Sequence, residues 1–82
     1  MKLHSALIAE IVGWYGAAAL MLAYTLVSFG MLTANTISYQ ILNITGAAGI
    51  VYVSIKKSAY QPAALNLVWA LVGIAALISL VN

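Results

Sequence analysis

Three long apolar stretches separated by two short polar ones set the pattern of this chain. The first runs from about Leu7 to Leu32, with no charge after Glu10 and only mild polar interruptions at Tyr15, Tyr24, Thr25 and Ser28. It breaks at Thr33-Ala34-Asn35-Thr36, residue types that favour turns and helix N-caps. The second runs from Ile37 to Ile55 and closes on Lys56-Lys57. The third begins at Pro62, a good opening helical residue because its missing N–H has no intrahelical partner there anyway, and continues to Val81. None alternates with the period of a strand, and the chain is too short to close a membrane β-barrel. Each stretch therefore predicts a helix. At 1.5 Å per residue the three are about 28–39 Å long, enough to cross a hydrocarbon core of about 30 Å.

Composition decides the solvent. The 82 residues are 66% apolar and 5% charged, whereas soluble domains hold about 45–50% apolar and about 25% charged residues. A chain this small buries only about 60% of its unfolded surface on folding alone. Three lysines, one glutamate and one histidine cannot cover the rest. The expected fold is all-α: an integral membrane three-helix bundle over residues 1–82, one domain with spans at about 7–32, 37–55 and 62–81. Its first partner is the lipid bilayer. Lys2 and Ala17-Ala18-Ala19 superficially fit a cleaved leader, but the apolar run continues to Leu32, too long for a signal-peptide core.

The remaining chemistry mostly excludes. With no cysteine, one His and one Glu, the chain offers no disulfide, no Cys nucleophile and no metal site, and no cofactor is expected. A net charge of +2 is too little for nucleic acid. No nucleophile–base pair or Gly-rich phosphate loop is present, and His4, at the N-terminus, is poorly placed as a base. The chain does not read as an enzyme, and it has no candidate catalytic residues. Three spans put Lys2, His4 and Lys56-Lys57 on one side and the Thr33–Thr36 loop and Asn82 on the other. The positive-inside rule then places the N-terminus in the cytoplasm and the C-terminus outside.

Lipid gives helices no hydrophobic reason to associate, so small residues and shared hydrogen bonds carry the packing. One face of the first helix holds Glu10, Gly13, Ala17, Tyr24 and Ser28. The second carries Thr36, Gln40 and Asn43 with Gly46 and Gly49, and the third carries Asn66, Ala70 and Gly73 with Trp69 to one side. These faces are expected to point into the bundle. An amide left unpartnered in lipid costs several kcal/mol. Asn43 and Asn66 therefore either bond each other or a facing carbonyl, or line a polar cavity for a solute. Trp69 either packs or stacks on that solute. Trp14, Tyr39 and Tyr60 suit interfacial anchoring, and Lys56-Lys57 suits topology and contact with anionic lipid.

Tyr39-Gln40-x-x-Asn43-x-x-Gly46 in the second helix and Pro62-x-x-x-Asn66-x-x-Trp69 in the third, within three spans, resemble the SemiSWEET proteins of the PQ-loop transporter superfamily. The resemblance implies a parallel pair of three-helix protomers, a 3+3 homodimer around a central solute route, in a bacterial cytoplasmic (inner) membrane. It also implies that Asn66 faces the route. That family's Trp lies in its second helix, so Trp69 is not its counterpart. Its Pro-Gln is absent from the first helix, which here reads Tyr24-Thr25-Leu26-Val27-Ser28-Phe29-Gly30. The Gly13-Trp14-Tyr15-Gly16 opening and Asn66-Leu67-Val68-Trp69 also resemble a set of small bacterial three-span proteins of unknown function. Leu7-Ile8-Ala9-Glu10-Ile11-Val12-Gly13 is similar to the first helix of small multidrug-resistance transporters, which have four spans and a deeper Glu.

These readings converge on a SemiSWEET-like transporter or solute-binding bundle for a small neutral polar solute, because no charge lies deep in the spans. Asn66, Asn43 and Trp69 are the expected contacts, with Tyr24 as a gate. The alternatives are a non-transporting accessory or structural subunit docked on a larger membrane protein, and a proton-coupled exporter using Glu10.

Overall fold

In the computed structural model the chain forms three α-helices: α1 over Lys2–Ser28, α2 over Ile37–Lys56 and α3 over Tyr60–Val81. The structure describes the backbone of residues 2–82 and the side chains of residues 4–82, so the Lys2 side chain in the orientation argument lies outside the described residues. The architecture is the expected all-α one. Two segments, His4–Ser28 and Tyr60–Val81, are long and apolar enough to cross a membrane. α2 is long enough at 20 residues but less apolar.

The reason lies in its position. α1 and α3 each pack on α2, and among the described residues no Cα of α1 comes within 8 Å of α3. A helix covered from two sides can bury polar side chains against its neighbours, and α2 does so with Gln40, Asn43 and Ser54. α3, covered on one side only, buries Ala63, Ala70 and Gly73 and leaves most of its large apolar residues exposed. The bundle is about 41 Å long.

The helix ends follow from local chemistry. α1 stops at Ser28, four residues short of the end of its apolar run, because Gly30 adopts a left-handed φ of 72°. The Met31 N–H then reaches the Leu26 carbonyl at 2.8 Å and the Gly30 N–H reaches Val27 at 3.1 Å, the paired bonds of a Schellman cap. α2 starts where expected. The Thr36 hydroxyl oxygen accepts the Tyr39 N–H at 3.3 Å as an N-cap, and its O–H donates to the Thr33 carbonyl. α2 ends in a second Schellman cap, with Ala59 N–H on Ser54 and Ser58 N–H on Ile55. Here the left-handed position is held by Ser58, at φ 55°. α3 opens two residues earlier than expected, at Tyr60. Pro62 is thus its third residue rather than its first, still within the turn whose N–H groups have no helical acceptor.

The α1–α2 seam is made by backbone approach. A Cβ placed on Gly16 would lie 2.6 Å from the Gly46 carbonyl oxygen, and one on Gly49 would lie 2.9 Å from the Val12 carbonyl. Ala9, Gly16, Ala19 and Ala23 are the buried row of α1. This corrects the expected face of α1: Gly13 and Ala17 are only half-buried, Ser28 is exposed, and Tyr24 is 75% exposed. The helix is rotated so that Gly16, not Gly13, meets the α2 backbone. Higher up, the Tyr15 hydroxyl donates to Thr45 Oγ1 at 2.6 Å, because the Thr45 proton is engaged by the Ile41 carbonyl at 2.8 Å.

This geometry has two measurable consequences. Gly16→Ala forces a methyl onto a carbonyl that cannot move without its helix, so it is expected to cost about 1–3 kcal/mol, whereas Ala18→Leu on an exposed position costs little. Ser58→Gly removes the strain of a left-handed serine and is expected to stabilise by up to about 1 kcal/mol. Unfolding midpoints in mild detergent, followed by helical circular dichroism, test both.

Candidate functional site

The α2–α3 seam is polar at its centre. Trp69 on α3 donates its indole N–H to Asn43 Oδ1 on α2 at 2.8 Å. Asn43 Nδ2 donates to Gln40 Oε1 at 3.4 Å, and Gln40 Nε2 donates to the Ala34 carbonyl at 3.0 Å, in the loop between α1 and α2. The direction of this relay is forced. Indole N–H is a donor only, so the Asn43 oxygen must face it; that turns the Asn43 nitrogen to Gln40, and the Gln40 nitrogen to a backbone oxygen, an acceptor only. Aligned bonds of this kind polarise one another in a low-dielectric interior. Asn43 and Gln40 are each 6% exposed, and among the described residues no buried side-chain nitrogen or oxygen lacks a partner.

Gly73 makes the room. A Cβ there would sit 2.9 Å from Asn43 Nδ2, 3.3 Å from Gln40 Oε1 and 2.8 Å from Ile44 Cγ1. Gly73 of α3 therefore faces the amides of α2, as the shared helical face predicts, with Ala70 buried beside it and Asn66 half-buried.

Asn43 and Asn66 do not bond each other. Asn66 Nδ2 returns to the Pro62 carbonyl of its own helix at 3.0 Å, one turn back. Asn43 is already engaged by Trp69 and Gln40, so the two amides have different tasks. One is locked in the seam. The other has no bond on its oxygen among the described hydrogen bonds.

All four residues expected from the sequence converge on one cleft of about 290 Å³, open on one side. Asn43, Asn66, Trp69 and Tyr24 line it with Tyr39, and Leu20, Ala23 and Leu65 complete its apolar walls. It lies where α1 and α3 stand apart over α2, which is why it combines Tyr24 from one flank with Asn66 and Trp69 from the other. No charged residue lines it. Its size is at the lower end of small-molecule sites, about 300–1,000 Å³. Trp69 is 51% exposed, so its ring offers a face while its N–H stays committed to Asn43.

Sequence reasoning missed two contributors. Gln40 was visible as an amide three residues before Asn43, the spacing that brings side chains together on a helix. Tyr39, expected as an interfacial anchor, also lines the cleft. Glu10 stands apart from this site and forms an ion pair with Lys57 at 2.5 Å. Among the described residues no group of His, Cys, Asp and Glu could hold a metal.

A family model matches residues 9–82, and the family it describes is an uncharacterised one. No curated protein and no solved structure matches the chain.

The two asparagines are separable by stability. Asn43→Ala orphans the Trp69 N–H and the Gln40 oxygen and is expected to cost about 2 kcal/mol or more, since each buried unpaired group costs about 1–3 kcal/mol. Asn66→Ala gives up one bond within its own helix and is expected to cost less than about 1 kcal/mol. Unfolding by sodium dodecyl sulfate compares them, and equal losses would refute the relay.

Proposed function

We propose that this chain, which belongs to the uncharacterised family matched over residues 9–82, is a membrane bundle that binds a small neutral polar solute and carries it across the bilayer in the manner of SemiSWEET proteins. The observation that carries this reading is the convergence of Asn43, Asn66, Trp69 and Tyr24 on one uncharged cleft. Asn66 Oδ1 accepts a hydrogen bond from the solute. The Trp69 ring covers its apolar face, and Tyr24, exposed at the rim, closes over it.

All three helices cross the bacterial cytoplasmic membrane. α2 crosses as the inner helix, its amides shielded by α1 and α3, which explains its lower apolarity. The end that carries Lys56 and Lys57 faces the cytoplasm together with the start of α1, and the C-terminus lies outside. One chain leaves its cleft open, so a second copy in a parallel two-fold pair closes it into a six-helix route. Rocking in this pair does not use a proline in α1, since none is present.

Flux in proteoliposomes across a panel of neutral sugars, polyols and metabolites tests the reading. Asn66→Ala is expected to lower the flux of the accepted solute about tenfold, the equivalent of one lost contact of about 1.4 kcal/mol. Glu10→Gln is expected to leave it intact, because Glu10 is paired with Lys57 away from the cleft; loss of flux in that variant would favour proton-coupled export instead. No flux for any solute, with wild type and Asn66→Ala equally inert, would overturn the transporter reading. The broad exposed apolar surface of α3 favours a second reading, an accessory subunit seated on a larger membrane protein. A stoichiometric larger partner, retained through purification in mild detergent, would support it.

A further inference from the structure

Away from the central cleft, polar groups gather at the end of the bundle where α1 begins and α2 turns into α3. Two clefts meet there. One, of about 280 Å³, is lined by Ser5, Ala6, Ala9, Glu10, Lys56 and Lys57. The other, of about 210 Å³, is lined by Gly13, Trp14, Ala17 and Val53, and shares Glu10 and Lys57 with the first. Neither shares a residue with the central cleft.

The charges at this junction do not balance. Lys57 holds the chain's one carboxylate side chain, Glu10. Among the described residues Lys56 is left with neutral company: its Nζ donates to Ser5 Oγ at 3.1 Å and lies 5.7 Å from the centre of the Tyr52 ring. A hydroxyl and a ring do not neutralise an ammonium. The second cleft runs on from the ion pair as a groove between α1 and α2, kept open by the small residues Gly13 and Ala17 and walled by Val53. Trp14 stands at its rim, 70% exposed.

We propose that the two clefts together form a binding site for an anionic phospholipid. The phosphodiester, with its single negative charge, matches Lys56, the lysine ammonium that no carboxylate compensates among the described residues. Ser5, whose oxygen accepts from Lys56, still has its own proton to donate to a phosphate oxygen. One acyl chain follows the groove past Gly13, Ala17 and Val53, against Trp14. Glu10 does not repel the headgroup, because Lys57 turns it into half of an ion pair. A free phosphate could use only the first cleft; the adjoining apolar groove selects a lipid. The proposal rests on the membrane reading of the chain and is independent of the solute route.

The test uses the full chain in non-ionic detergent, with phosphatidylglycerol and phosphatidylcholine of identical acyl chains added separately and the lipid-bound fraction read by native mass spectrometry. Phosphatidylglycerol is expected to bind about fivefold more tightly, the preference one lysine near a membrane surface confers. Lys56→Gln abolishes that preference, and Lys56→Arg keeps it. Ala17→Phe fills the groove and weakens both lipids while leaving the preference intact. Should Lys56→Gln fail to fold, Ser5→Ala carries the same test and is expected to lower the preference. Equal binding of the two lipids, or an unchanged preference in these two variants, overturns the proposal. So does inorganic phosphate that displaces phosphatidylglycerol, which would make this a free-anion site. A chain soluble without detergent would instead defeat the membrane reading beneath it.

Discussion

A carboxamide inside an apolar bundle must find partners or lose several kcal/mol, and this requirement organises the α2–α3 half of the molecule. Asn43 and Gln40 meet it together. The indole of Trp69 starts the relay, the two amides pass it along α2, and the Ala34 carbonyl ends it. A single line of hydrogen bonds thus ties α3, α2 and the first loop. It works only because Gly73 has no side chain, so that Asn43 and Gln40 can lie directly against the α3 backbone. It also explains why α2 is the inner helix: its polar atoms are useful only where another helix covers them.

The same relay divides labour within the cleft. Asn43 contributes a wall whose atoms are already committed, while Asn66, bonded among the described residues only to its own helix, keeps its oxygen free. A rigid wall and a free acceptor on neighbouring helices are the features on which the proposed solute reading rests. Specificity in such a site comes from a few placed polar groups on an otherwise apolar surface, and this cleft has that balance.

Much of this was legible in the sequence. Three helices and the Thr36 cap follow from the apolar runs and the residue types between them. The grouping of Asn43, Asn66 and Trp69 follows from helical spacing, because the small residues that admit close packing share a face with the amides on both α2 and α3. The rotation of α1 was not legible. Gly13–Ala17 and Gly16–Ala19 are adjacent rows of small residues on one helix, and nothing within α1 says which row faces inward. The choice is made by α2, whose Gly46 carbonyl approaches Gly16 too closely for any side chain. The end of α1 was obscured differently. Phe29, Met31 and Leu32 continue the apolar pattern, but the left-handed backbone at Gly30 stops the helix whatever the hydropathy of the next residues. The relay itself escaped because pairing the two asparagines satisfied the same arithmetic; only the position of the Trp69 indole separates the two solutions.

Among the described residues the close backbone contacts are α1 with α2 and α2 with α3, and this bears on how the molecule is assembled. Each seam joins helices that are neighbours along the chain, so no later segment has to thread between two earlier ones. The α1–α2 seam is closed by glycines on both helices, and α3 joins through an indole bonded to an amide of α2. Topologies dominated by such local pairings fold quickly, and both seams here are of that kind.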